Sequence, residues 1–491
     1  MKKRKAQSAY LTVYMALSFT AMLAVFLVLL DGLRLNSAQF QAELIVDVAT
    51  DSLLAEYHRE MLRQYGMFWI DTSYGTKEPS VALVEAHLRH YLERNCSPLE
   101  QWVDAYLYRD LLGLQIREAS VNMLELATDD GGSSFRARAV EVVKDEVGLS
   151  YLEKVAQWIE MLEENRLQEE DMEVQMKQSR EALFRLEGKQ KVGEQWVNVE
   201  IEDPLAKLEM EKQKGILRQV LERPEEVSMI QIRMEDLISV RKKRGEINEG
   251  NWMESEEDGW WDQGWERLLW QEYLLRYFGY YGCEKPEGLL KYQLEYLIGG
   301  QNSDLENLKS VVWKLCSVRW AAAAMYLFGD AEKTAQAETA AAVLMTLVAL
   351  PEATELAKTL ILLGWSYAEA VYDTGVILAG GKVPLLENEE SWHYSAEKLW
   401  EGVLDGVLDR ADAGEKTEEG LAYGDYLRIF LALTPLEEQT FRAMDVVEMD
   451  IRKTPGNRMF RMDGCADRLE VLVVLESAYK HRIRICTQKA Y

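Results

Sequence analysis

Histidine, cysteine and proline are scarce in this chain, and each scarcity closes off a class of function. Five histidines occur in 491 residues: His58, His87, His90, His393 and His481. No H-E-x-x-H or other ligand set accompanies them, so His87 and His90, at i, i+3 spacing, read as a surface pair rather than a metal site. Five cysteines, Cys96, Cys283, Cys316, Cys465 and Cys486, are too few for a disulfide scaffold, and none forms C-x-x-C. Their odd number leaves at least one unpaired. Buried free thiols and one or two bridges both stay open. No G-x-S-x-G elbow is present. The run Ala-Gly-Gly-Lys-Val at 379–383 lacks the hydroxyl that a phosphate loop places on magnesium, and reads as a turn before Pro384. Asp-Asp-Gly-Gly-Ser-Ser at 129–134 lacks the spacing of a calcium loop and reads as a plain turn. No metal or cofactor is expected, and the chain is not read as an enzyme.

Cations are also in deficit. Against 83 Asp and Glu stand 56 Lys and Arg, a formal charge of −27. The first 30 residues hold four cations and no acid, which leaves −27 less 4, or −31, for the rest. Such a body repels phosphate backbones, so nucleic acid is excluded as a partner, and it argues against a surface that clings to anionic lipid. A hydrophobic content of 48% is ample for a packed core.

One long apolar run decides where the protein resides. Residues 10–30, YLTVYMALSFTAMLAVFLVLL, carry no charge and follow the basic cluster Lys2, Lys3, Arg4 and Lys5. At about 1.5 Å per helical residue they span the ~30 Å hydrocarbon core of a bilayer. The run is longer than a cleaved signal's apolar region and exits through Leu-Leu-Asp-Gly rather than small residues, so it reads as a retained anchor. The basic tail (1–9) is expected in the cytoplasm and the body outside, as a single-pass protein of the cell membrane. Shorter apolar stretches at 320–328 and 339–350 read as buried core helices.

The expected fold is mainly α with minor β. A transmembrane helix (10–30) continues into a stalk helix (31–70), because Leu54, Tyr57, Met61, Tyr65 and Phe68 recur at three and four. A first extracytoplasmic α+β region (71–240) holds helices over 80–95 and 98–112, a strand over 114–126, and a long charged helical arm over 135–187. A polar, Trp-rich linker (241–262) opens with Arg-Lys-Lys-Arg, read as a solvated loop. The C-terminal region (263–491) is expected to be mainly helical, with one strand at 289–297. Trp252, Trp260 and Trp261 belong to an aromatic cluster read as core packing, a partner interface or a sugar platform.

Several local patterns resemble a membrane-anchored family of Gram-positive bacteria associated with tight-adherence (Flp) pilus loci and similar to TadE/TadG pseudopilins. They are Leu-Thr-Val at 11–13, Ala-Thr-Asp-Ser-Leu-Leu-Ala-Glu-Tyr at 49–57, and Tyr-Gly-Met-Phe-Trp-Ile-Asp at 65–71. Further along come Leu-Glu-Tyr-Leu-Ile-Gly-Gly-Gln-Asn-Ser-Asp at 294–304 with Asn307-Leu308, Gly-Gly-Lys-Val-Pro-Leu at 380–385, and Tyr-Gly-Asp-Tyr-Leu at 423–427. The resemblance implies a surface-exposed accessory of a pilus or secretion apparatus, with protein partners in the assembly complex. It also marks a candidate processing region. If Ala9 precedes the prepilin-peptidase cut and Tyr10 follows it, Tyr14 stands where the pseudopilins carry Glu. Tyr cannot neutralise a neighbour's N-terminal amine in the bilayer, which favours an anchored accessory over a filament subunit. The alternative is a stand-alone tethered adhesin or sensor that binds through its Trp-rich surface.

Overall fold

The computed structural model describes residues 2–76, 78–96, 113–146, 148–165, 172–192, 195–199, 201, 203, 205–241, 263–394 and 420–491. The protein is mainly α with minor β. It divides into two compact units that do not follow chain order. The first joins the N-terminal residues through Phe135 to Ile451–Tyr491, and the second holds Arg136–Lys242 and the residues up to Asp450. The expected helix over 98–112, Trp252, Trp260, Trp261 and nearly all of the 241–262 linker lie outside the described residues.

The first unit is built on α1 (Lys2–Leu54), a single unbroken helix. Its two halves have different surroundings. Residues 10–37 are almost wholly exposed, with Tyr10, Tyr14, Phe19 and Phe26 facing outward. Burial starts at Ala38 and continues through Ala42, Ile45, Val46, Ala49 and Leu53, the three-and-four spacing of one helix face. The exposed window is apolar and long enough to cross a membrane. A second helix passes that length and composition test, but two-thirds of its apolar window is buried in the second unit.

The expected stalk helix to residue 70 stops short. After Leu54 the chain turns, and His58 starts α2 (Arg59–Tyr65) by accepting the Met61 amide at 3.3 Å. Gly66, at φ 72°, closes it. The apolar period survived the break because Leu54, Met61 and Tyr65 are all buried. Next come β1 (Ile70–Asp71), α3 (Val81–Cys96) and β2 (Gln115–Leu126), the last two close to their expected positions.

The expectation of one C-terminal strand, at 289–297, is corrected twice. From Gln293 that segment is helical, and two strands close the chain. β5 (Cys465–Glu476) is the central strand, flanked by β2 along one edge and by β6 (Arg482–Ala490) and β1 along the other, all antiparallel. The apolar stretch Val-Leu-Val-Val-Leu at 471–475 has no clean alternation, so period alone does not separate strand from buried helix. Leu469, Val471, Val473 and Leu475 meet α1, α3 (Val84, Leu88) and Val121 in one apolar core.

In the second unit the expected charged arm resolves into α4 (Ser133–Val143, its first turn in the other unit), α5 (Leu149–Glu164) and α6 (Met172–Phe184). It is not free-standing. Val155, Leu162, Met172, Met176 and Leu183 are buried, and α6 packs on the long central helix below. A hairpin of β3 (Gly188–Val192) and β4 (Gln195–Val199) follows, then α7 (Ala206–Gln213), α8 (Ile216–Val220), α9 (Gln263–Tyr277) and α10 (Gln293–Gly299). The long helices α11 (Asp304–Gly329), α12 (Ala331–Leu347) and α13 (Thr354–Leu378) form the hub, closed by α14 (Tyr423–Leu433) and α15 (Leu436–Arg452). The apolar stretches at 320–328 and 339–350 lie in α11 and α12. All five cysteines are free thiols, with Cys316 and Cys465 buried but Cys283 and Cys486 exposed.

Candidate functional site

The second unit buries a set of ionisable groups, and they stand behind one of its clefts. On α11, Arg319 is wholly buried. It donates to Asp373 of α13 at 2.7 and 3.2 Å, and to the Pro384 and Leu385 carbonyls at 2.6 and 2.9 Å. Glu387 also pairs with it. One turn before Asp373, Glu369 accepts the His393 and Tyr394 amides at 2.7 and 2.9 Å. Burial, then the Asp373 charge, pushes the Glu369 carboxyl up. Arg319 thus locks α11, α13 and the segment after Gly381 together, and its donors are committed to structure.

A second frame centres on α10. The buried Glu295 carboxylate accepts the Tyr281 amide at 3.0 Å and the Tyr423 hydroxyl at 2.9 Å. Burial outweighs these donors and raises its pKa to about 7. Asp304, the first residue of α11, accepts from the Ser228 hydroxyl at 2.6 Å and the Lys291 amide at 3.0 Å. Tyr292 completes this wall by accepting the Ser228 amide at 3.1 Å. On α15, Asp445 accepts from Tyr296 at 2.8 Å, and Glu448 holds Arg241 through both oxygens at 2.6 and 2.8 Å. Arg241 was expected in a solvated loop, so its pairing with a fully buried carboxylate corrects that reading.

Against this frame lies a cleft of about 560 Å³. Val220, Val371 and Tyr292 form its floor. The approach of α8 to α13 depends on Gly375, where a Cβ would stand 3.3 Å from the Val220 carbonyl. Tyr281 enters from a tight turn in which Tyr280 and Cys283 exchange backbone hydrogen bonds at 3.1 and 2.9 Å. Gly282 supplies that turn's positive φ of 83°. Tyr372 lines the opposite wall and stacks on His393, with ring centroids 3.9 Å apart. Glu222, Arg223, Glu226 and Glu284 stand exposed at the rim. Arg223 is paired with Glu226 at 3.0 Å. Burial, and then the Glu284, Glu226 and Glu222 charges, pushes the Tyr281 hydroxyl up. Tyr rings beneath the Glu222 and Glu284 carboxylates suit a cationic group.

Apart from Ala379, which opens the run read as a turn before Pro384, none of the cleft residues named above was singled out from sequence, although Tyr-Tyr-Gly-Cys at 280–283 carries a turn signal. Residues 294–304, 380–385 and 423–427, noted for their local patterns, supply the frame behind it. Lys2, Lys3, Arg4, Lys5 and Ala9 lie within α1, and Tyr10 and Tyr14 are exposed along it. His87 does not pair with His90. It binds Glu56 at 3.0 Å, together with the Tyr74 and Tyr91 hydroxyls at 2.9 and 2.7 Å. Among the described residues no three His, Cys, Asp or Glu side chains converge to hold a metal.

Residues 194–477 match the model of a family of unknown function (DUF5702). The chain belongs to that family. The match takes in the cleft and both buried frames. No curated protein and no solved structure matches the chain.

Proposed function

We propose that this DUF5702 protein is a membrane-anchored, outward-facing accessory of a tight-adherence pilus or a related secretion apparatus, and not an enzyme. One observation carries the reading. α1 is a continuous helix whose first half is bare and apolar and whose second half is built into the core of the first unit. Such a helix couples a folded body rigidly to the membrane. The basic residues Lys2, Lys3, Arg4 and Lys5 support a cytoplasmic start for it. The Flp-type patterns noted in the sequence supply the apparatus, and Tyr14 favours an anchored accessory over a filament subunit. The acid-rimmed tyrosine cleft supplies a contact for a basic side chain of a partner subunit. Pull-down of the full chain from membranes tests this. Recovery of pilin or platform subunits is expected, weakened in the Glu222→Gln/Glu284→Gln variant. Recovery of the intact chain without any such subunit contradicts the reading.

A further inference from the structure

The turn between β5 and β6, residues 477–481, lies against α1 where the apolar run ends. His481 Nε2 is 3.3 Å from the Asp31 carboxylate. The Arg34 guanidinium sits 4.4 Å from the centre of the Tyr479 ring. Asp31 is the first charge after the 10–30 run. At 1.5 Å per residue, both contacts therefore fall within about 6 Å of the end of the hydrocarbon span.

The chemistry of this edge is opposite to that of the body. The sequence at 478–484 is Ala-Tyr-Lys-His-Arg-Ile-Arg, with Lys480, Arg482 and Arg484 exposed while Ile483 is buried and pins the strand. Arg117 joins them from the start of β2, where Gln115 pairs with Glu476. Among the described residues, the carboxylates at this edge are Asp31, Glu118 and Glu476. Glu476 is already shared by Arg117 at 3.2 Å and Arg482 at 3.3 Å. Among the described residues no carboxylate stands within ion-pair distance of Lys480 or Arg484. Lys480 also holds a φ of 64°, a left-handed conformation that costs a lysine more than a glycine or asparagine. In a body of charge −31, the described cations here outnumber the described acids.

We propose that this edge is a membrane collar. Lys480, Arg482 and Arg484 lie against the phosphates of an anionic lipid surface, and Tyr479 sits in the headgroup layer, as aromatic side chains do at membrane interfaces. The collar gives the first unit a second point of support beside α1 and limits its tilt and swivel about the helix. At this one edge the proposal departs from the expectation that the acidic body avoids anionic lipid. The inference rests on α1 being a membrane span.

The test uses the full chain in nanodiscs of phosphatidylcholine, with or without phosphatidylglycerol, followed by hydrogen exchange. Exchange of residues 477–484 should slow on the order of fivefold when phosphatidylglycerol is present. The slowing should disappear in a Lys480→Gln/Arg484→Gln variant that melts at the wild-type temperature. The segment 453–461, where Asn457 meets His58 beyond the far end of α1, should exchange alike in both discs. Entry into the discs with lipid-independent exchange at 477–484, or slowing that survives the substitutions, overturns the collar alone. A chain that does not enter the discs overturns the anchor reading and the collar together.

Discussion

The two units bury different chemistry. In the first, α1 and α3 cover a four-stranded sheet through Ala, Val, Leu and Ile, Glu56 and His87 stay half-exposed, and the buried carboxylates among the described residues are few, such as Asp463 and Asp467. In the second, Glu295, Asp304, Arg319, Glu369, Asp373, Asp445 and Glu448 are all buried. Apolar area is non-directional and tolerant, which suits a unit built on the long helix α1. Buried ionic groups are costly to desolvate and demanding in geometry, so they stabilise one arrangement of helices strongly over its neighbours. The cleft depends on such an arrangement, because Tyr281 and Tyr292 are positioned by Glu295 and by the segments that Asp304 ties together.

Substitutions in the two units should therefore behave differently. The largest effect is expected for Arg319→Met, which strands Asp373 and Glu387 and should cost about 3–5 kcal/mol. Leu475→Ala in the sheet core of the first unit should cost about 2–5 kcal/mol, by lost transfer and a cavity. Denaturant unfolding checks both. If adding Asp373→Asn and Glu387→Gln to Arg319→Met restores no stability, the stranded-charge account fails.

A smaller effect separates the units by pH. Glu295 has a folded pKa of about 7, above the ordinary 4.5, so the folded state holds a proton that the unfolded state releases first. Its contribution is complete below about pH 4.5 and is lost as pH rises through about 7, by about 3 kcal/mol at most. Calorimetry between pH 5 and 8 should show wild type losing stability with rising pH, and Glu295→Gln losing less of it. An unchanged pH slope in the variant would place the Glu295 proton elsewhere.

Much of the first unit was legible in the sequence, because its signals are local. The 10–30 run, the helix over 80–95 and the strand over 114–126 follow from hydropathy period and turn residues alone. The strands at 465–490 were not legible, since a near-continuous apolar stretch fits strand and helix alike, and its partner β2 lies some 350 residues upstream. The cleft was hidden for a related reason. Glu295 and Tyr423 are ordinary residues until folding brings them 2.9 Å apart. Arg241, in a run of four cations, gives no hint that it will pair with the buried Glu448.

The central claim is that α1 is a retained anchor. Its most direct test is N-terminal sequencing of the full chain from alkali-washed membranes. A start at Met1 or Lys2 in the membrane fraction is the result this account predicts. A start near Tyr10, or a chain beginning beyond residue 30 and released from the membrane, would contradict it.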